Sequence, residues 1–203
     1  MAVQSGTYRG VSAEDRAAER RERLLAATLA VWGAPGGRVT MTRVCAEAGL
    51  SERYFYESFR NLDEALLAVL DAIASEIESV GLAAAEAAGD EPEARARASI
   101  AAFVALVADD PRKGRVAIIE SAGIATLRPR RTALLRHFAH RLTEEIEDRH
   151  GPEVWGGASG EVAGLLFIGG TAELVTAWLD GALVVTPEQI VETATAMMLG
   201  ALR

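Results

Sequence analysis

The residues with most to offer chemically lie together between Thr40 and Leu66, in the stretch TMTRVCAEAGLSERYFYESFRNLDEAL. Its outward candidates are guanidinium and hydroxyl groups: Thr40, Thr42, Arg43, Ser51, Arg53, Tyr54, Tyr56 and Arg60. A guanidinium fork matches the two acceptors on the major-groove edge of guanine, whereas hydroxyls and spare guanidinium groups bind phosphate oxygens and set register. Arg53 and Tyr54 are therefore expected to read base edges, with Thr40, Thr42, Arg43, Tyr56 and Arg60 on the phosphate backbone. Arg20 and Arg23 extend the basic patch.

Such a set works only if short helices hold it. Thr40 is placed to cap a helix over Met41 to Ala48, Gly49 supplies the left-handed turn, and Ser51 is placed to cap a helix through Phe59. Val44, Leu50, Phe55, Phe59 and Leu66 are spaced to pack against Leu24, Leu25 and Leu29 of a first helix over Arg20 to Trp32. Gly33, Pro35, Gly36 and Gly37 stop that helix, and Asp63 with Glu64 opens a long fourth one to about Ala88. The arrangement is a helix-turn-helix, whose second helix lies in the major groove in proteins of this kind. With Phe55 and Phe59 inward, Ser51, Glu52, Arg53, Tyr54, Tyr56 and Glu57 face out. Cys45, among apolar neighbours, reads as inert core.

The net charge of −8 over 203 residues hides an asymmetry. Residues 1–62 carry nine Arg against seven acids, a balance of +2, and residues 63–203 a balance of −10. A local basic patch, rather than the sum, decides affinity for phosphate. Half the residues are apolar, which excludes a disordered chain, and a single cysteine excludes a disulfide framework. The first dozen residues lack the apolar run of a signal peptide, and the uncharged runs are short, fourteen residues for Leu24 to Gly37 and eleven each for Ala98 to Ala108 and Val162 to Ala172. A membrane span needs about 20. A soluble cytoplasmic protein is expected.

Helical periodicity continues at roughly 92–108, 111–122, 129–150, 159–180 and 187–202, broken at Pro111, Gly123 to Pro129, Gly151 to Gly157 and Gly181 to Pro187. The expected fold is all-α with about nine helices. A flexible arm over 1–13 precedes a DNA-binding domain over 14–62 and a larger helical domain over 63–203.

The pattern Thr40, Val44, Ala48-Gly49-Leu50-Ser51, Tyr56, Phe59 and Leu66 resembles the DNA-binding domain of the TetR (tetracycline-repressor-like) transcriptional regulators. The likeness in motif covers about residues 16–70, and beyond it only the helical architecture corresponds. It implies a homodimer that binds a pseudo-palindromic operator and is released when a small effector enters the larger domain. Leu62 departs from the pattern, because family members usually place a phosphate-binding Lys there; Arg60 is the available substitute.

In the larger domain, Phe103, Glu120, His137, Phe138, Phe167 and Thr171 are polar or aromatic residues within apolar runs, on four helices that a bundle would converge. They are candidates for an effector site, which wants an apolar cavity with few oriented polar groups. Trp155 is a candidate lid or loop anchor. The eighth helix is apolar nearly all round and carries Gly164, Gly169 and Gly170; the ninth presents Ile190, Ala194 and Met197. Leu166, Gly170, Leu174, Trp178, Ile190, Ala194 and Met197 are the expected dimer interface, in a four-helix bundle about a twofold axis. Completion of the monomer core is the other reading of the same faces.

No metal or cofactor is expected, and no metalloprotease, phosphate-loop or nucleophile-elbow motif occurs. Glu120 with His137 as an acid–base pair, or His137 with His140 as metal ligands, remain formal options. A transcriptional activator, a ligand-insensitive DNA-binding protein, a helical carrier and an enzyme are the alternatives to a ligand-released repressor.

Overall fold

The computed structural model describes residues 12–36, 38–151, 154 and 157–200. Among them there are nine helices and no strand. The N-terminal arm to residue 11, Gly37, Trp155 and the last three residues lie outside the described set. The chain divides into two compact units, residues 1–70 and 71–203, with the division inside the fourth helix.

The first unit is a three-helix head. α1, Ala13–Trp32, starts earlier than the apolar stripe suggests. Ser12 caps it by accepting from the Asp15 amide while the Asp15 carboxylate accepts from the Ser12 amide, both at about 3 Å, a reciprocal box that stabilises a polar first turn. Ala13 thus opens α1, with Ser12 as its cap. The buried stripe also sits a little round from the expected one: Leu24, Ala27, Thr28, Val31 and Trp32 are buried, and Leu25 and Leu29 only half-buried. α2, Met41–Ala48, and α3, Glu52–Ser58, cross α1. Val44, Phe55 and Phe59 join Leu24 in a core that three short helices need, since none would persist alone in water.

α4, Leu62–Ala87, begins one residue before the acidic pair. Asn61 caps it, accepting from the Glu64 amide at 2.9 Å. Its second half belongs to the other unit, with α5, Pro92–Asp109; α6 over 111–123; α7, Arg128–His150; α8, Gly157–Leu179; and α9, Pro187–Gly200. α6 is not a plain α-helix: Arg115–Glu120 is a π-helical turn between Pro111–Gly114 and Ser121–Gly123.

Inside this unit α8 packs on α7 and α9 on α5. The α7–α8 contact is close because Gly164 faces the α7 backbone; a Cβ there would stand 2.8 Å from the Ala139 carbonyl oxygen. From residue 71 onward α4 runs parallel to α7, tied at a constant offset of 59 residues by an ion pair, Asp71 to Arg130, and a hydrogen bond, Glu78 to His137. Asp90 to Arg149, at 3.6 Å, continues the same register past the helix end. Each such surface pair contributes at most about 1 kcal/mol, so the ladder sets register more than stability.

By length and composition α8 is able to cross a membrane, which counting uncharged runs does not reveal because Glu161 and Glu173 interrupt it. Its outer residues Val162, Leu165, Leu166, Gly169 and Gly170 are exposed, all on one face.

Candidate nucleic-acid interface

The head is built so that α3 displays its polar residues. Thr40 caps α2 through its hydroxyl, accepting from the Arg43 amide at 3.3 Å, and Gly49 turns at φ 62° and ψ 35°. A residue with a Cβ would be strained there. Phe55 and Phe59 pack their rings 5.6 Å apart in the core, and this fixes which side of α3 faces out.

The expected site residues of this stretch fall on the exposed side or at its rim. Thr42, Arg43, Ser51, Arg53, Tyr54, Tyr56 and Arg60 are exposed and Thr40 is half-buried at its cap. They differ in what holds them. The Arg53 side chain is 85% exposed, with its Nε donating to Glu57 Oε1 at 3.2 Å. Tyr56 is 58% exposed, but Tyr54 only 37%, because the Arg20 guanidinium lies 4.7 Å from its ring centre. Arg60 donates from both its amide and its Nε to Glu64. Arg43 donates to the Arg38 carbonyl at 2.7 Å.

Two expectations need correction here. Ser51 occupies the N-cap backbone position of α3, but its hydroxyl makes no capping hydrogen bond; the helix instead starts on its carbonyl, which accepts from the Tyr54 and Phe55 amides. Arg23 is not a spare member of the basic patch, since its Nη2 donates to the Ala48 carbonyl at 2.7 Å and so satisfies a carbonyl at the end of α2. Arg21 behaves likewise, donating to the Ser58 carbonyl and lying 4.3 Å from the Phe59 ring centre.

Glu57 faces out as expected, though sequence reading assigns it no role. It faces Arg53 one turn earlier and Arg20 at 3.6 Å. The i, i+4 spacing of Arg53 and Glu57 was the available signal. Beneath this surface, burial pushes the Cys45 thiol up, with the Glu52 carboxylate acting in the same direction, so the thiol stays protonated.

In the larger unit the six effector candidates have different surroundings. Phe103 packs into two core clusters, with Val104 and Ile190 on one side and Val107 and Val175 on the other. His137 is exposed and bonded to Glu78 at 3.1 Å, in a surface network that includes Arg141 and Glu144. Glu120 stands 3.6 Å from Arg115, which also reaches Asp180. Glu120 and His137 thus have separate partners, which speaks against their pairing as acid and base, and the Arg-rich helix presents its histidine to solvent. Phe138, Phe167 and Thr171 are half-buried on α7 and α8. A shallow apolar concavity of 370 Å³ lies elsewhere, against Ala158, Ser159, Val162, Ala163 and Leu166.

The dimer candidates also separate. Ile190 and Ala194 are buried within the chain, and Leu174 and Trp178 pack against the same core as Ile190. Ile190 and Ala194 lie where α9 packs on α5, while Leu174 and Trp178 of α8 are half-buried. Leu166 and Met197 are 71% and 69% exposed, and Gly170 has no heavy atom within 4 Å of where a Cβ would stand.

No protein-family model matches the chain. No curated protein matches it either. Its fold, however, is that of many solved structures of transcriptional regulators. The fatty acid degradation regulator FadR from Bacillus halodurans superposes with a TM-score of 0.72 at 17% identity, over 91% of this chain and 96% of that one. A TetR-family regulator from Syntrophomonas wolfei gives 0.74 at 15% identity, over 91% and 95%. A transcriptional regulator from Rhodococcus sp. Rha1 gives 0.72 at 19%, over 90% and 95%. The class defined by fold is therefore the TetR-type all-helical architecture, a helix-turn-helix head joined to a larger helical unit. At these identities the likeness establishes the fold alone.

Proposed function

We propose that the chain is a DNA-binding transcriptional regulator of the TetR kind, a cytoplasmic homodimer and not an enzyme. It represses by holding a pseudo-palindromic operator and is released by a small, largely apolar effector. The observation that carries this reading is the outer face of α3, where Arg53, Tyr54 and Tyr56 stand out from a helix pinned from beneath by Phe55 and Phe59. That face sits on the second helix of a helix-turn-helix, the element that enters the major groove, and its N-terminal residues are the ones that meet base edges. Thr40, Thr42, Arg43, Ser51 and Arg60 surround it and set register on phosphates.

Dimerisation supplies the second half-site, about 34 Å away along the duplex. The face available for it is Leu166 and Gly170 of α8 with Met197 of α9. Phe103, Glu120, His137, Phe138, Phe167 and Thr171 are the residues assigned to border an effector. Bound effector would favour the conformation with misplaced heads, transmitted along α4, which runs from the head into the larger unit. The packing of Phe103 into two core clusters favours a second reading, a DNA-binding regulator without small-molecule control.

Selection from a pool of random duplexes at physiological salt tests the central claim. A recurrent two-fold related sequence should emerge, and Arg53→Ala and Tyr54→Ala should each relax the preference at one position. A pool that returns no preferred sequence, or the same preference from both variants, refutes the assignment.

A further inference from the structure

Two guanidinium groups of the basic patch, Arg53 and Arg20, converge on one carboxylate. Glu57 Oε1 accepts from Arg53 Nε at 3.2 Å, and its Oε2 stands 3.6 Å from Arg20 Nη2. Arg20 in turn lies over the Tyr54 ring, 4.7 Å from its centre. The Glu57 side chain is 41% exposed, so it belongs to the same surface as Arg53 and Tyr54.

A carboxylate on a surface meant for a polyanion repels every phosphate that approaches, whatever the sequence. It also gives direction. With Nε occupied, Arg53 keeps both Nη groups, the pair able to span the guanine O6 and N7 acceptors, and is held back from swinging to the backbone. The same carboxylate keeps Arg20 over Tyr54 and away from phosphate. An ordinary i, i+4 pair would support only the helix, but here the acid also engages a second element.

We propose that Glu57 is a specificity-determining positioning residue: it fixes Arg53 for base reading and, through its charge, weakens binding to duplexes of the wrong sequence. The inference rests on the DNA-binding reading above and adds that discrimination is obtained partly by repulsion.

The test compares wild type, Glu57→Ala and Glu57→Gln on two duplexes of equal length, the one recovered by selection and a scrambled one, across a salt series. Glu57→Ala should bind the scrambled duplex more tightly. Its preference for the selected duplex should fall by about 10-fold, the scale of one base contact. Its plot of log affinity against log salt should steepen by roughly one unit as a freed guanidinium takes a phosphate. Glu57→Gln keeps an acceptor for Arg53 without the charge and should recover part of the preference. Preference and slope equal to wild type in Glu57→Ala overturn the proposal, even if thermal unfolding shows a change in stability. A wild-type protein that prefers no duplex overturns the DNA-binding reading first, and is seen before any variant is made.

Discussion

Arg23 of α1 reaches across the head to the carbonyl of Ala48, Nη2 to oxygen at 2.7 Å, beside the left-handed turn at Gly49. The last carbonyls of a helix have no partner of their own, and a cation there also answers the negative end of the helix dipole. The bond therefore fastens the turn of the helix-turn-helix to its supporting helix. Arg23→Ala should lower stability by about 1 kcal/mol, the scale of a partly exposed bond from a charged donor. Thermal unfolding followed by circular dichroism should show the midpoint fall by roughly 2–4 °C. An unchanged midpoint would mean that Gly49 and the core alone hold the turn.

The glycines of α8 divide into two kinds, and substitution should separate them. Gly164 approaches the α7 backbone, and a methyl group there would meet the Ala139 carbonyl oxygen at 2.8 Å and the Thr143 hydroxyl at 3.0 Å. A backbone oxygen does not yield as a flexible side chain does. Gly164→Ala should destabilise by about 1–3 kcal/mol, the usual range for overpacking. Gly169 and Gly170 face open space, so alanine at either should stabilise the isolated fold by up to about 1 kcal/mol through helix propensity. Denaturant melts of the three variants check the contrast.

How much of this was legible beforehand depends on the range of the interaction. The helix-turn-helix could be read because its signals are local: Thr40, Gly49, the Phe55–Phe59 spacing and the breaks after Trp32 each act within a few residues. The all-helical class follows from periodicity in the same way. Long-range pairing could not be read. Nothing in the apolar run of α9 says that Ile190 and Ala194 turn toward α5 and not toward a second chain. The partner of His137 is likewise invisible beforehand, because Glu78 lies 59 positions away. The π turn at Arg115–Glu120 has no signature in the residues that form it.

Glu64 gives the head a dependence on pH. The Arg60 amide, then the Arg60 side chain, hold its carboxyl below the usual glutamate range. A carboxylate depressed on folding stabilises the native state fully above its unfolded value, about 4.3, and the contribution disappears as pH falls through the lower folded value. Glu64→Gln should therefore melt below wild type at pH 7, and the two curves should converge as the pH falls through the folded value. A gap that persists undiminished into acid would assign the effect to side-chain shape and not to charge.

The exposed face of α8 makes the assembly testable without knowing the operator. Val162, Leu165 and Leu166 are 58%, 44% and 71% exposed and share a side with Gly169 and Gly170, where a partner helix would have room to approach. Contiguous apolar surface of this kind mostly marks a contact. Under the homodimer reading, Leu166→Arg places one charge in each copy near the twofold axis, where two like charges meet. The variant should sediment with half the wild-type mass at micromolar concentration while its helical content is retained. It should also lose at least about 100-fold in affinity for the selected duplex, because the second head no longer benefits from being tethered to the first. Its weaker affinity for a single half-site should survive, since α3 and its core are untouched. A dimer that withstands Leu166→Arg would move the interface off this face and onto another.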